Sequence, residues 1–282
     1  MTALRIGLTQ WHATRDIDAN VEHAIRAIRN CAADGAQLVV LPENGLMLGT
    51  NQEMRAAAFD ESGDSHLGQI AAVAADTQTP IVVGGLKYRT SEGTFNSALV
   101  FDGRGELAGR YDKIHLFDAR VGGQSFEASS VEQPGDTPVI IEVAGVRIGL
   151  TICYDVRFPE LYRRLATAGA EVILVPAAFM QTTGEAHWEV LLRARAIESG
   201  AYVVASATVR GDGPEPDAFE TYGHGLAVGP WGEIITDLGE DSFATQVVHL
   251  DTQVVSDIRE RIPVLKGLRP DAYRAEIRHL EV

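Results

Sequence analysis

Short apolar runs of strand length alternate with helically spaced apolar residues over the first third of the chain. Leu4 to Leu8 forms one such run and Leu38 to Leu41 another. The segment between them carries one apolar helix face followed by a glycine suited to a helix C-cap: Val21, Ala24, Ile25, Ile28 and Ala32, then Gly35. A second helix is predicted over His66 to Thr77, before the strand Ile81 to Val83. This order predicts an α/β core whose first strands are covered by helices.

Hairpins are predicted in the middle of the chain. Apolar segments flank the turns Asp102-Gly103 and Ala144-Gly145. Further elements are expected at Val172 to Val175, Glu185 to Ser199 (a helix), Tyr202 to Ala207, Leu226 to Val228, Ile234 to Thr236, Thr245 to Leu250, and Asp251 to Arg261 (a helix). We therefore expect two sheets face to face with helices outside, in a single domain over residues 1–282. The acidic, proline-containing stretch Gly211 to Glu220 is predicted to be a surface loop.

Composition excludes several classes of protein. The 282 residues carry 39 acidic and 24 basic side chains, a formal charge of −15, so a basic patch for a nucleic-acid backbone is not expected. A hydrophobic fraction of 45% and a mean hydropathy of −0.01 are typical of a globular chain and not of a disordered one. No apolar run approaches the roughly 18 residues of a membrane span. With two cysteines and no signal-like segment, we expect a cytoplasmic protein.

Familiar catalytic and metal-binding motifs do not occur in the sequence. It contains no G-x-S-x-G, H-E-x-x-H or C-x-x-C pattern, and its glycine pairs miss the spacing of a dinucleotide-binding loop. The eight histidines are scattered, with none paired at ligand spacing. We therefore expect neither a metal site nor a cofactor.

Three polar residues follow apolar strands, where ligands bind in α/β proteins. Glu43 follows Leu41-Pro42, Lys113 ends a predicted strand, and Cys153 lies in a strand–turn–helix segment. Each has a plain alternative: a cap or surface glutamate, a surface lysine, and a buried cysteine that only packs. Lysine is rare, however, with three copies against 21 arginines (24 basic residues minus 3). Together, a thiol, a carboxylate that takes its proton and an ammonium that stabilises a substrate oxyanion would form a nucleophilic site.

The segments around these residues resemble the motifs of the nitrilase (carbon–nitrogen hydrolase) superfamily. They read Leu41-Pro42-Glu43, Tyr111-Asp112-Lys113-Ile114-His115-Leu116 and Ile152-Cys153-Tyr154-Asp155-Val156-Arg157-Phe158-Pro159-Glu160. The resemblance implies a four-layer α-β-β-α sandwich assembled as a homodimer or larger through its outer helices. It implies that Cys153 is the nucleophile, Glu43 the general base and Lys113 the oxyanion stabiliser. The N–H of Tyr154 would complete the oxyanion hole.

The family also uses a second catalytic glutamate, a few residues before a Pro-Gly pair. Glu127 is the expected match, ahead of Pro134-Gly135. The chain carries one residue more between this glutamate and the Pro-Gly pair than the family pattern does. Glu132 is the rival and lies closer to the Pro-Gly pair than the pattern requires.

Residues 181–198, together with Tyr222 to Gly225 and Pro230 to Gly232, resemble the amidases of deaminated glutathione and, slightly less, the omega-amidases. Substrates of both share a 2-oxoglutaryl group. Arg157 is expected to bind a substrate carboxylate by a bidentate contact, with a structural salt bridge as its alternative. The implied function is a thiol amidase that converts deaminated glutathione to 2-oxoglutarate and cysteinylglycine. The alternatives are an omega-amidase, an N-carbamoyl amine or nitrile hydrolase, and a catalytically silent interaction module.

Overall fold

A computed structural model describes residues 3–121, 123–211 and 218–280. The strands in chain order are β1 (Ala3–Trp11), β2 (Leu38–Val40), β3 (Phe59–Asp60), β4 (Ile81–Thr90), β5 (Gly93–Phe101), β6 (Leu107–Asp112), β7 (Asp118–Val121), β8 (Gln124–Glu127), β9 (Val139–Val143), β10 (Val146–Leu150), β11 (Val172–Leu174), β12 (Tyr202–Ala205), β13 (Ala207–Thr208), β14 (Leu226–Val228), β15 (Ile234–Asp237) and β16 (Phe243–Asp251). The helices are α1 (Ile17–Ala33), α2 (Asn51–Ala56), α3 (Ser65–Thr77), α4 (Pro159–Thr167), α5 (Gln181–Ser199), α6 (Thr252–Arg261) and α7 (Pro270–Tyr273).

Two large sheets dominate the described part of the chain. The first has the order β13-β1-β2-β4-β5-β6, with β16 antiparallel to β1 and β3 beside β4. The second has the order β15-β14-β12-β11-β10-β9. Strands β1, β2 and β4 are parallel to one another, as are β10, β11 and β12. Each sheet therefore has a set of parallel strands whose carboxyl ends lie at one edge.

The sheets and helices form four layers. In β2, Val39 packs with α1 and α3, whereas Leu38 and Val40 pack against the second sheet. This division follows from strand geometry, because successive side chains point to opposite faces. Residues Leu161 of α4 and Leu192 of α5 join the core that includes the second sheet. The order α-β-β-α confirms the fold class implied by the sequence resemblance.

The larger helices and strands lie where the sequence pattern predicts them, with two informative differences. The strand predicted over Tyr202 to Ala207 divides at Ser206: β12 stays in the second sheet, while β13 pairs with β1 in the first. The Ser206 hydroxyl donates to the Val40 carbonyl at 2.7 Å, so this crossing ties the sheets together. The strand predicted at Ile81 to Val83 continues to Thr90 through an irregularity in its register.

Helix α2 and the β7–β8 hairpin are absent from the sequence-based prediction. Helix α2 has six residues, of which only Met54 is buried, so it shows no helical periodicity. A capping box between Thr50 and Glu53 starts it instead. Most of the surface loop predicted over Gly211 to Glu220, residues 212–217, lies outside the described residues. No helix in the described ranges is long and apolar enough to cross a membrane.

Candidate active site

Cys153 lies on a sharp turn after β10. Its backbone φ is +43°, in the left-handed region that a residue with a side chain rarely adopts. The turn is held by the Cys153 N–H, which donates to the Pro176 carbonyl at 2.9 Å. A 3-10 segment, Cys153–Arg157, begins at this residue and leads into α4. The strained turn therefore directs the thiol into the space between the two sheets.

Glu43 reaches the same space from the carboxyl end of β2. The chain leaves the strand through Leu41 and Pro42, and the side chain is buried. Its Oε1 accepts hydrogen bonds from Lys113 Nζ at 2.8 Å and Asn96 Nδ2 at 3.0 Å. Its Oε2 accepts one from the backbone N–H of Ala178 at 2.9 Å. The carboxylate is thus fixed from three directions.

Lys113 follows the last residue of β6. Its N–H donates to the Asn96 carbonyl, and its own carbonyl accepts from the Gly135 N–H, both at 2.8 Å. These backbone bonds direct the buried ammonium at Glu43. The structure therefore brings together the three residues that the sequence predicts to share a site.

The charges of this cluster are strongly coupled. Burial and the Glu43 charge raise the pKa of the Cys153 thiol well above its usual value, against the opposing effect of Lys113. Burial by itself would raise the pKa of Glu43, yet Lys113 and the hydrogen bonds, among them one from the Cys153 thiol, hold that pKa below normal. Burial by itself would lower the pKa of Lys113, but the charges of Glu43, Cys153 and Glu132 raise that pKa. The resting cluster is a protonated thiol beside a carboxylate–ammonium pair.

Asp155 fastens the Lys113 segment to the cysteine turn. This fully buried carboxylate accepts from the Ile152 N–H at 2.9 Å and from the Tyr111 hydroxyl at 2.7 Å. It also accepts from the His115 N–H at 3.1 Å, and its Oδ1 lies 2.7 Å from His115 Nδ1. Burial together with the Asp155 charge raises the pKa of Tyr111, so the phenol remains a donor. Two segments 40 residues apart in sequence are held in register by one side chain.

A cavity of about 610 Å³, including its open mouth, surrounds the cluster. Its apolar walls include the rings of Phe117, Phe126, Phe179 and Phe219. Asn44 and Asn96 also line it. The Oδ1 atom of each is closed off from solvent and has no hydrogen-bond partner among the described residues, an exception to the usual pairing of buried polar atoms.

Glu127, the second catalytic glutamate expected from the sequence, does not line this cavity. On β8 the side chain of Phe126 points inward, and successive strand residues alternate, so Glu127 is exposed. It lines a neighbouring groove instead. Of the two candidates for the second glutamate, the one that lines the cavity is Glu132, whose side chain is 1% exposed and pairs with Lys87. The Glu132 N–H donates to the Ala128 carbonyl, and the Gln133 N–H donates to the Thr94 carbonyl. These two bonds turn the Glu132 side chain inward.

Tyr154 and Arg157 both line the cavity, as the sequence predicts. Tyr154 is the first residue after the nucleophile candidate in the 3-10 segment. The Arg157 guanidinium lies 5.1 Å from the Phe179 ring centre, and its Nη1 lies 3.3 Å from His187 Nδ1. Of the described cations that line the cavity, Arg157 alone has no carboxylate within 4.0 Å. The salt-bridge alternative for this arginine therefore has no partner in the described residues.

Sequence reasoning missed two further residues of the site, Asn96 and Lys87. Nothing in their local sequence marks them, because both lie within strands. Lysine usage was a usable signal, since two of the three lysines, Lys87 and Lys113, line one cavity. Within the described ranges, no group of three His, Cys, Asp or Glu side chains is placed to hold a metal ion.

Comparison with known proteins identifies a matching family and similar enzymes. Residues 5–260 match the family model of the carbon–nitrogen hydrolases. The chain is 38% identical to the deaminated glutathione amidase of Yersinia enterocolitica over 261 residues, covering 91% of this chain and 88% of that enzyme. It is 33% identical to the omega-amidase of Homo sapiens over 283 residues, 99% of each chain.

A solved structure is also similar. A variant of the amidase from Nesterenkonia sp. AN1, which carries the acetamide moiety of fluoroacetamide on its active-site cysteine, has a TM-score of 0.81 at 26% identity. The match covers 97% of this chain and 96% of that one. The family match and the two amidase relatives span nearly the whole chain, which therefore belongs to the carbon–nitrogen hydrolases of the nitrilase superfamily and acts on amides.

Proposed function

We propose that this amidase hydrolyses the distal amide of a 2-oxoglutaryl compound, with deaminated glutathione as the preferred substrate. The observation that carries the proposal is the cluster of Glu43, Lys113 and Cys153 in one buried cavity, with Lys113 Nζ 2.8 Å from Glu43 Oε1. Of two relatives that cover most of the chain, one is named an amidase of deaminated glutathione and the other an omega-amidase.

In the first half-reaction, Glu43 removes the Cys153 proton as the sulfur attacks the substrate carbonyl carbon. The tetrahedral oxyanion is held by the Lys113 ammonium and the Tyr154 N–H. Collapse breaks the C–N bond, and Glu43 returns the proton to the nitrogen, so a neutral amine leaves and a thioester remains on Cys153. A high thiol pKa is compatible with this sequence, because the proton moves only when the electrophile is in place.

In the second half-reaction, Glu43 deprotonates a water molecule that attacks the thioester. The oxyanion forms in the same position, the C–S bond breaks, and the thiolate recovers its proton. The products are the carboxylic acid and the resting enzyme. Glu43 transfers the protons and Lys113 stabilises the oxyanion in both half-reactions, and no cofactor is involved.

Glu132 is the second carboxylate of this proposal, in place of Glu127. Its buried side chain lines the cavity, and its charge helps to raise the pKa of Lys113, which keeps that group cationic. A carboxylate in this position can also accept a hydrogen bond from the departing amine.

Arg157 is proposed to bind the 2-oxo acid carboxylate, which deaminated glutathione and 2-oxoglutaramate share. The argument rests on charge, because Glu43 balances Lys113 and Glu132 balances Lys87, leaving the guanidinium as the net positive group of the described cavity wall. An acidic amide therefore matches the cavity better than a neutral nitrile.

The test compares turnover of deaminated glutathione, 2-oxoglutaramate, an N-carbamoyl amine and a simple nitrile on one enzyme preparation. We expect the two 2-oxo acid amides to exceed the others in kcat/KM, and intact-mass analysis to detect a 2-oxoglutaryl adduct on Cys153. Faster turnover of the carbamoyl amine or nitrile would select that alternative instead. A silent interaction module would show no adduct and equal alkylation of Cys153 and Cys31 by iodoacetamide.

We also propose a cytoplasmic homodimer or larger assembly through the outer helices. Helix α5 leaves Val190 and Ile197 exposed at 65% and 51%, and Trp231 is exposed at 52%. Both cysteines are unpaired, as expected in a reducing compartment. Light scattering measures the mass directly, and Val190→Glu with Ile197→Glu should lower it if this face is the interface.

A further inference from the structure

Lys87 is a buried ammonium in the catalytic cavity to which the proposed reaction assigns no role. It is 5% exposed, and its Nζ pairs with Glu132. The chain uses arginine for most of its cationic positions, yet both buried cations facing this chemistry are lysines. A compact ammonium and a planar guanidinium are not interchangeable at such a position.

The backbone of β4 directs Lys87 toward the cluster. The pairing of β4 with β5 shifts register between Val83 and Leu86, and past this irregularity Lys87 lies directly opposite Asn96. Directly opposed residues of an antiparallel pair present their side chains on the same face. The Asn96 side chain donates a hydrogen bond to Glu43. Lys87 therefore lies on the same face of the sheet as the residue that binds the general base candidate.

Lys87 is the ion-pair partner of the buried Glu132 carboxylate. The Glu132 side chain is 1% exposed, and among the described residues Lys87 is the only group that forms an ion pair with it. A buried carboxylate without a partner is costly to keep ionised and takes up a proton instead. The other charged or titratable groups that line the same cavity are Lys113, Glu43, Cys153 and Arg157, and Lys113 is already paired with Glu43.

From these contacts we propose that Lys87 is a positioning residue, which acts through Glu132 by holding its carboxylate ionised and directed at the Lys113 side of the cavity. The proposal rests on the amidase function above. In the variant Lys87→Met the cation is lost while the apolar stem is retained. Glu132 then takes up its proton at higher pH, and the acid limb of the kcat profile moves to higher pH with it.

Activity tests the proposal through a double-mutant cycle on 2-oxoglutaramate. Glu132→Gln should lower kcat by about 10²-fold, at the low end of what a positioned acid–base group contributes. Lys87→Met should lower kcat by a similar factor. The kcat of the double variant should be no lower than that of the less active single variant, because the effects of residues that act through one another are not additive. The exposed Lys266→Met is the matched control and should match the wild type. Multiplied losses in the double variant would overturn the proposal.

Infrared difference spectroscopy tests the pair without any substrate. The protonated-carboxyl band of Glu132, identified by its loss in Glu132→Gln, should appear at a pH about 1–3 units higher in Lys87→Met than in the wild type. An unchanged midpoint would refute the role of Lys87 even if the enzyme is active. A shifted midpoint in an enzyme inactive on every 2-oxo acid amide would support the pair and reject the proposed substrate. If Lys87→Met does not fold, the neutral variant Lys87→Gln serves for the same measurement.

Discussion

Replacing Lys113 by methionine would separate its proposed catalytic role from a merely structural one. Methionine retains most of the apolar stem of the buried side chain but removes the ammonium that lies 2.8 Å from Glu43 Oε1. Glu43 then keeps only the donors Asn96 Nδ2 and Ala178 N–H. Burial raises the pKa of Glu43 and Lys113 lowers it, so the variant should have the higher Glu43 pKa. The pKa of Cys153, raised by burial and lowered by Lys113, should increase further.

The expected loss is large. Removing one oxyanion donor costs roughly 10²–10³-fold in kcat, and a charged donor in a buried cavity should lose at least that, with a smaller change in KM. A general base works only above its pKa, so raising the Glu43 pKa moves the acid limb of the profile to higher pH. Leaving Glu43 without its cation should also cost about 3–5 kcal/mol in unfolding free energy, the range for broken buried ion pairs.

The assay measures kcat and KM for 2-oxoglutaramate between pH 5 and 9, the rate of Cys153 alkylation, and circular dichroism to verify folding. Lys266→Met is the matched surface control, and Lys113→Arg tests whether charge alone suffices. Arginine should not restore kcat, because its planar guanidinium is larger than the ammonium it replaces. A Lys113→Arg enzyme with near wild-type kcat, or a Lys113→Met enzyme with an unchanged acid limb, would refute the reasoning.

Other changes test the remaining assignments. Cys153→Ala should abolish turnover and the mass adduct while the fold stays intact. Cys31→Ala should keep both, because burial raises the pKa of the Cys31 thiol to about 12. An adduct on Cys31 would reverse this assignment. Glu127→Gln should change kcat by less than about twofold, because that side chain is exposed, whereas Glu132→Gln loses about 10²-fold; the opposite order would restore Glu127 to the site. Arg157→Lys should reduce kcat/KM about 10- to 150-fold for acidic amides and much less for neutral ones, and equal losses would indicate a structural role.

The sequence by itself determined most of the longer strands and the residues that leave them. Leu38 to Leu41 is a continuous apolar run of strand length closed by Pro42, which favours a buried strand with Glu43 at the sheet edge. The same local logic applies to Cys153 after its apolar strand. Both inferences depend on side-chain burial and backbone conformation within a few residues, which local patterns report well.

Tertiary structure alone decided which other groups complete the site. The sequence favours Glu127 over its rival Glu132. The alternation of β8 turns Glu127 outward, and the backbone bond from Gln133 to Thr94 turns Glu132 inward. Lys87 enters the site through a register shift between two strands, and Ala178 contributes a backbone N–H, which has no sequence signature. These contacts join residues 45 to 135 positions apart. Which of them meet is set by the packing of two sheets, a property that no short window of sequence contains.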